Sequence, residues 1–246
     1  MANELAIVNY SIDALAMGVE AMNNLYDELG PDAQPEFATA KTPSSGMTAW
    51  SIKAFKDDDD PEITKAIEGV IVHAHKTNAW WKDDLDQAGG QMPDCRSNDG
   101  VTGIDTEGVR HACADCPYNK FGSDGGRGKA CKNSRVLYVL RQGDILPIKV
   151  TLAPTGNRPY DKYVESLIIP KKRGQKPMRP AHVITKISLK CETSAGGQKY
   201  SLPVFECVGM LDEDARLNIA DYAAGLIRAA EQPVFTEVDP ADTPFD

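Results

Sequence analysis

Four cysteines within one stretch carry the clearest chemistry in this chain: Cys95, the pair Cys113 and Cys116 in "CADC", and Cys131, all inside "PDCRSNDGVTGIDTEGVRHACADCPYNKFGSDGGRGKACKN". A Cys-x-x-Cys turn brings two thiolates to one ion, and two outer cysteines complete a tetrahedral sulfur shell. The stretch has so little apolar content that it cannot hold a shape by packing, and metal binding then supplies the folding energy. One Zn2+ held by Cys95, Cys113, Cys116 and Cys131 is expected. His111, two positions before Cys113, is the alternative to Cys95, because Cys3His shells also occur. Four protein ligands leave no position for a reacting water, so the metal is expected to be structural and the chain not to be a zinc hydrolase. A redox-active Cys-x-x-Cys would need a helix start in a βαβ setting, which the flanking residues do not provide.

Other constellations fall short of chemistry. "GSDGGRGKAC" (122–131) has no Gly five positions before Gly128-Lys129, and Ala130 stands where a phosphate loop needs a hydroxyl. It reads as a flexible basic loop able to touch phosphates. His73 and His75 share one face of a predicted strand but have no third ligand nearby, so packing or stacking roles are expected. Asp57 to Asp60 read as a solvated turn; only a nuclease reading would have them, or the histidine pair, hold a second metal. No Ser-His-Asp spacing, nucleotide fingerprint or paired catalytic carboxylates can be picked out, and the chain is read as not an enzyme.

Aromatic residues are more informative. Trp50, Trp80, Trp81, Tyr118, Phe121, Tyr138, Tyr160 and Tyr163 nearly all lie within a few residues of a Lys or Arg. Rings on which bases stack, at about 1–3 kcal/mol each, interleaved with cations that follow the phosphates, are the means of holding single-stranded nucleic acid. Tyr138 and Trp81 sit in apolar runs and read as core. The expected DNA contacts are Lys41, Trp50, Lys53, Tyr118, Lys120, Arg127, Lys129, Lys132, Arg135, Arg158, Tyr160, Lys171, Lys172, Arg173 and Lys176.

A net charge of −9 over 246 residues would argue against such a partner if charge were evenly spread. It is not. Acids dominate 56–62, 80–86 and everything after Leu211, whereas 120–135 and 168–190 are basic, the latter without a single acid. Hydrophobic content of 41% and charged content of 26% fit a soluble globular protein. No apolar run approaches the roughly 20 residues that cross a bilayer, and "MANELAIVNY" lacks the pattern of a signal peptide. A cytoplasmic protein without membrane association is expected, in which the cysteines do not pair as structural disulfides.

The elements that must position these residues follow from periodicity. Residues 11–29 repeat apolar side chains at three and four and end at Gly30-Pro31, a helix. Residues 36–55 alternate around a Pro-Ser-Ser-Gly turn, 66–81 form a long β-rich run, 135–154 read as two strands around Gln142-Gly143-Asp144, and 182–211 as a hairpin turning at Ala195-Gly196-Gly197. A short helix is expected over "NRPYDKYVESLI" with Asn157 near its cap, and a final helix from Asp212 to about Ala230. Cys191 and Cys207, inside the last hairpin, read as small buried hydrophobes. The sum is α+β, mainly β: an OB-like antiparallel barrel with flanking helices and a loop-rich zinc insertion. The divisions are 1–85 for the N-terminal helix and first part of the core, 86–134 for the insertion, 135–230 for the second part of the core with the C-terminal helix, and 231–246 for a disordered acidic tail.

The barrel with basic and aromatic interleaving, the inserted cysteine module, and the ending "EVDPADTPFD" together resemble the single-stranded DNA-binding proteins of tailed bacteriophages. Pro244-Phe245 matches the Pro-Phe ending of bacterial tails of this type, with the departure that Asp246 follows the aromatic residue. The segment "PDCRSNDGVTG...CADCPYNKFGS...GKACKNSR" is also similar to one in many phage proteins of undetermined role. The resemblance implies binding of single-stranded DNA without strong sequence preference in phage replication or recombination, inside the host cytoplasm. It also implies a tail that recruits replication or recombination proteins through Asp239, Asp242, Pro244, Phe245 and Asp246, and whose acids compete with DNA for the protein's own cations. The rival expectation is a zinc-containing phage protein that docks on a host polymerase or defence factor and binds no DNA.

Overall fold

The computed structural model describes residues 6–8, 12–30, 35–55, 58–82, 92–169 and 176–230. The cations Lys171, Lys172 and Arg173, the acid Asp57, and the whole tail, including Asp239, Asp242, Pro244, Phe245 and Asp246, lie outside the described residues.

In chain order the elements are β1 (Ala6–Val8), α1 (Ile12–Leu29), β2 (Thr39–Lys41), β3 (Trp50–Lys53), β4 (Glu62–Thr64), β5 (Ala66–Trp80), β6 (Cys95–Ser97), β7 (Thr102–Asp105), β8 (Arg110–Ala112), β9 (Lys132–Leu140), β10 (Ile148–Leu152), α2 (Asn157–Ile168), β11 (Val183–Thr193), β12 (Lys199–Leu211) and α3 (Glu213–Ala230). The fold is α+β with one large, mostly antiparallel sheet in the order β1-β12-β11-β5-β9-β10-β2-β3-β4, and the ribbon β6-β7-β8 leaves it from the end of β5. Only β1 with β12 and β10 with β2 run parallel among the described pairs.

β5 organises this sheet because it is long enough to pair with β11, β9 and β6 along different parts of its length. Ala66 to Gly69 meet β11, and Val70 to Ala79 meet β9. Its β-branched residues alternate between two cores. Ile67 and Ile71 join Leu137, Val139, Ile148, Val150, Trp50, Ile187 and the α2 residues Tyr160, Tyr163 and Leu167 in the first. Val70 and Val72 join Tyr138, Leu140, Met22 of α1, and Ile219, Tyr222 and Leu226 of α3 in the second. A bulge between Ile71 and His73 inserts one residue and so reverses the alternation: His73 and His75 stand opposite Tyr138 and Val136, on the side of the second core.

The backbone ladder does not close into a ring, since β1 and β4 are its two ends. The ends nevertheless approach across the first core. Trp50 Nε1 on β3 donates to the Ile187 carbonyl of β11 at 2.9 Å, and Ser201 Oγ on β12 donates to the Met47 carbonyl at 2.7 Å. The sheet therefore curls round one apolar interior, with α2 packed against it through Tyr160 and Tyr163, whose rings contact Phe205.

Helix α1 crosses the turn between β9 and β10 so closely that a Cβ on Gly18 would collide with the backbone carbonyl of Ile145 and approach the Tyr222 ring to 2.8 Å. Backbone cannot yield as a side chain can. Gly18→Ala is expected to destabilise the protein by roughly 1–3 kcal/mol, read as a lower denaturant midpoint with unchanged slope.

The expected helices and hairpins are present, with one local correction. Asn157 stands next to the α2 N-cap, as expected; the cap itself is Gly156, after a 3-10 turn over Pro154–Gly156, and Asn157 Nδ2 donates to the Asn133 carbonyl at 2.8 Å, tying the helix to β9. Cys191 is exposed rather than buried, because β11 has by then run past the core. No described helix is long and apolar enough to cross a membrane.

Candidate nucleic-acid interface and cysteine module

Between β5 and β9 the chain builds a module from short strands and turns. Cys95 opens β6, Cys113 follows β8, Cys116 precedes the 3-10 turn Pro117–Asn119, and Cys131 immediately precedes β9. Backbone bonds hold the turns: Cys113 N–H to the Val101 carbonyl at 2.8 Å, Asn119 N–H to the Cys116 carbonyl at 3.1 Å, and Cys131 N–H to the Tyr118 carbonyl at 2.8 Å. All six cysteines of the chain are free thiols.

The four module thiols sense one another. Burial first, then Cys116, Cys113 and Cys95, push the Cys131 thiol up to about 12. Burial and the fields of Cys113 and Cys116 likewise raise Cys95. A thiol pushed up by burial and by other thiols is the state that a cation relieves, because ligation requires the thiolate. Gly103 makes room for this convergence: a Cβ there would stand 2.9 Å from Cys95 Sγ and 3.7 Å from Cys113 Sγ. Among the described residues no three His, Cys, Asp or Glu donors already stand at the spacing of a bound ion. The donor set and its convergence fit a tetrathiolate site in chemistry. His111 is engaged elsewhere, its Nε2 lying 2.7 Å from Asp105 Oδ2.

A polar clasp fixes the module to the sheet. Lys129 Nζ donates to Asn119 Oδ1 at 3.1 Å and to Asn133 Oδ1 at 3.0 Å. Asn133 Nδ2 donates to Asn78 Oδ1 at 2.6 Å, and Asn119 Nδ2 to the Cys113 carbonyl at 2.8 Å. Beside the clasp, Trp80 of β5 and Tyr118 of the module stack with centroids 4.0 Å apart and planes 16° off parallel. Tyr118 remains 42% exposed, and Phe121 is 82% exposed with Lys129 Nζ 5.1 Å from its ring centre.

The expected DNA contacts divide in two. Lys41 and Lys53 are exposed on β2 and β3; Tyr118, Lys120 and Arg127 are exposed on the module, with Lys129 and Lys132 half-buried beside them; Arg158 and Lys176 are exposed at the two sides of α2. Three others are interior. Trp50 is 0% exposed and spends its indole N–H on Ile187, so no base can stack on it. Arg135 is buried, paired with Asp161 at 2.9 Å and lying 4.6 Å from the centre of the buried Tyr160 ring. These residues alternate onto the core side of their elements, a placement that nearness to lysine in sequence does not reveal. Tyr138 and Trp81 are buried, as their apolar runs imply.

Two residues outside that set lie beside its exposed members. Phe121 is the most exposed large apolar side chain of the module, and Lys149 stands on the sheet face opposite Tyr138. The strict alternation of "IKVTL" was the available signal for Lys149, since Ile148, Val150 and Leu152 claim the core side.

No family model matches the chain, and no solved structure matches it. Among curated proteins, aspartate–tRNA ligase of Lactiplantibacillus plantarum is 29% identical over 70 residues, which is 28% of this chain. The match spans 12% of that protein's length.

Proposed function

We propose that this protein binds single-stranded DNA without strong sequence preference, on an OB-like half-closed barrel whose first connection carries a structural Zn2+ held by Cys95, Cys113, Cys116 and Cys131. The observation that carries the reading is the connectivity of five strands. β5 pairs with both β9 and β11, β9 continues to β10, α2 joins β10 to β11, and β11 returns as β12. This order supports an OB-like reading, and an OB barrel binds oligonucleotides on its second and third strands and on the loop between the first and second. Here those are β9, β10 and the module with Tyr118, Phe121, Lys120 and Arg127.

Bases would stack on Tyr118 and Phe121 while the cations follow the phosphates. The chain's acidic end is the proposed recruiting ligand for replication or recombination proteins, and a competitor for the same cations at low salt.

Tryptophan fluorescence tests this. With Trp50 and Trp81 buried, Trp80 is the reporter, and titration with oligo-dT is expected to quench it. Tyr118→Ala is expected to weaken oligo-dT about tenfold, within the ~1–3 kcal/mol of one stacked base, and duplex binding less. Absence of quenching and of any salt-dependent binding by the full-length protein would overturn the reading in favour of a protein that docks on another protein.

A further inference from the structure

On the sheet face away from the first core, two adjacent rungs cross β5, β9, β10 and β2. One runs His73, Tyr138, Lys149, Thr39; the next runs His75, Val136, Thr151, Lys41. The three rings form a triangle, with His73 to His75 at 5.4 Å, His73 to Tyr138 at 5.7 Å and His75 to Tyr138 at 5.8 Å. Tyr138 and Val136 are buried, with Phe37 edge-on against the Tyr138 ring at 5.4 Å; in the register His73 and His75 lie on one side of them, and Lys149 with Lys41 one strand further lie on the other.

Two features of this groove lack an explanation within the fold. Lys149 is half-buried, and the one charged group that acts on it is another cation, Lys41; among the described residues no carboxylate pairs with it. His75 Nδ1 is buried without a hydrogen-bond partner. A half-buried lysine beside a second cation and an imidazole is stabilised when an anion joins them.

We propose that the groove between His75 and Lys149, with Lys41 at its rim, is a phosphate site, and, resting on the reading above, that it holds a backbone phosphodiester of the bound strand. Lys149 and Lys41 supply the charge, and His75 donates a ring N–H. In the empty protein burial, then His73 and Lys149, hold His75 down to about 4, with Asp99 opposing them. Burial and Lys41 lower Lys149 in the same way. An anion placed among these groups opposes both shifts.

The experiment follows the histidine ring signals of the full chain by NMR; the sequence has 4 histidines, and His75→Gln assigns the one of interest. Three probes are added separately: oligo-dT, dTMP and inorganic pyrophosphate. Oligo-dT is expected to move the His75 signal and to raise its titration midpoint from about 4 by roughly one pH unit or more, with His111 and His182 unmoved. Lys149→Gln is expected to weaken oligo-dT about tenfold and to reduce the slope of log affinity against log salt by about one. If oligo-dT quenches Trp80 but leaves His75 and the Lys149→Gln slope unchanged, the phosphate site is wrong while strand binding stands. If pyrophosphate or dTMP shifts His75 and oligo-dT does not bind, the site stands and its phosphate comes from a small molecule. If no probe moves His75, the site is wrong whatever the protein binds.

Discussion

Cys131→Ser is expected to abolish binding of the proposed Zn2+ and melt the module while the two cores stay folded. Losing one of four thiolates removes much of a binding free energy that in small zinc domains amounts to about 10–16 kcal/mol. Between β5 and β9 no hydrophobic core backs the ribbon, turns and polar clasp: no residue from 92 to 130 belongs to either core. The chain leaves Cys131 directly into β9, and the Cys131 N–H holds the Tyr118 carbonyl, so the loss should propagate to the Tyr118–Trp80 stack. Three readouts follow: zinc content falling from one per chain to none after dialysis, protease cleavage confined to the segment 92–131, and a changed Trp80 emission with a thermal midpoint that hardly moves. A serine variant that keeps stoichiometric zinc and a protected module would remove Cys131 from the ligand set. Acid should act in the same direction on the native protein, because each ligand must lose its proton to bind.

Much of this arrangement is legible in the sequence. The long apolar run from 66 to 81 announces β5, the Gly-rich turns announce both hairpins, and Asp212 with the acids after it announces α3, since each rests on local preference. What sequence could not supply is long-range. β1 and β4 are 3 residues each, too short for a period to be read, and the ribbon β6 to β8 is assembled by turns and thiols rather than by alternation. The bulge at Val72 is similarly silent in sequence, yet it decides which core His73 faces. For the site, cysteine spacing carried the module. Proximity of rings to cations singled out Tyr118, which is exposed, but equally Trp50, Tyr160 and Arg135, which are buried, because neighbours along a strand or a helix do not share a face. The clasp of Asn78, Asn119, Lys129 and Asn133 joins positions up to 55 apart in the chain, and nothing in local composition marks it.

Trp50 offers the sharpest separation between folding and binding. Trp50→Ala is expected to cost about 3–5 kcal/mol, the range for emptying a large aromatic from a core, because its ring fills the gap where β3 meets β11 and no backbone ladder joins those strands. Trp50→Phe keeps most of the packing but leaves the Ile187 carbonyl without its donor, a loss of about 1–3 kcal/mol. Denaturant midpoints measure both. With the Phe variant still folded at moderate temperature, its affinity for oligo-dT should equal that of the native chain, since the ring never meets solvent. Tyr118→Ala should show the opposite pattern, with near-native stability and weakened binding, since it is half-exposed and lies outside both cores. Were the Phe variant to lose oligo-dT affinity at unchanged midpoint, the curled sheet would have to open on binding and expose Trp50 to the strand.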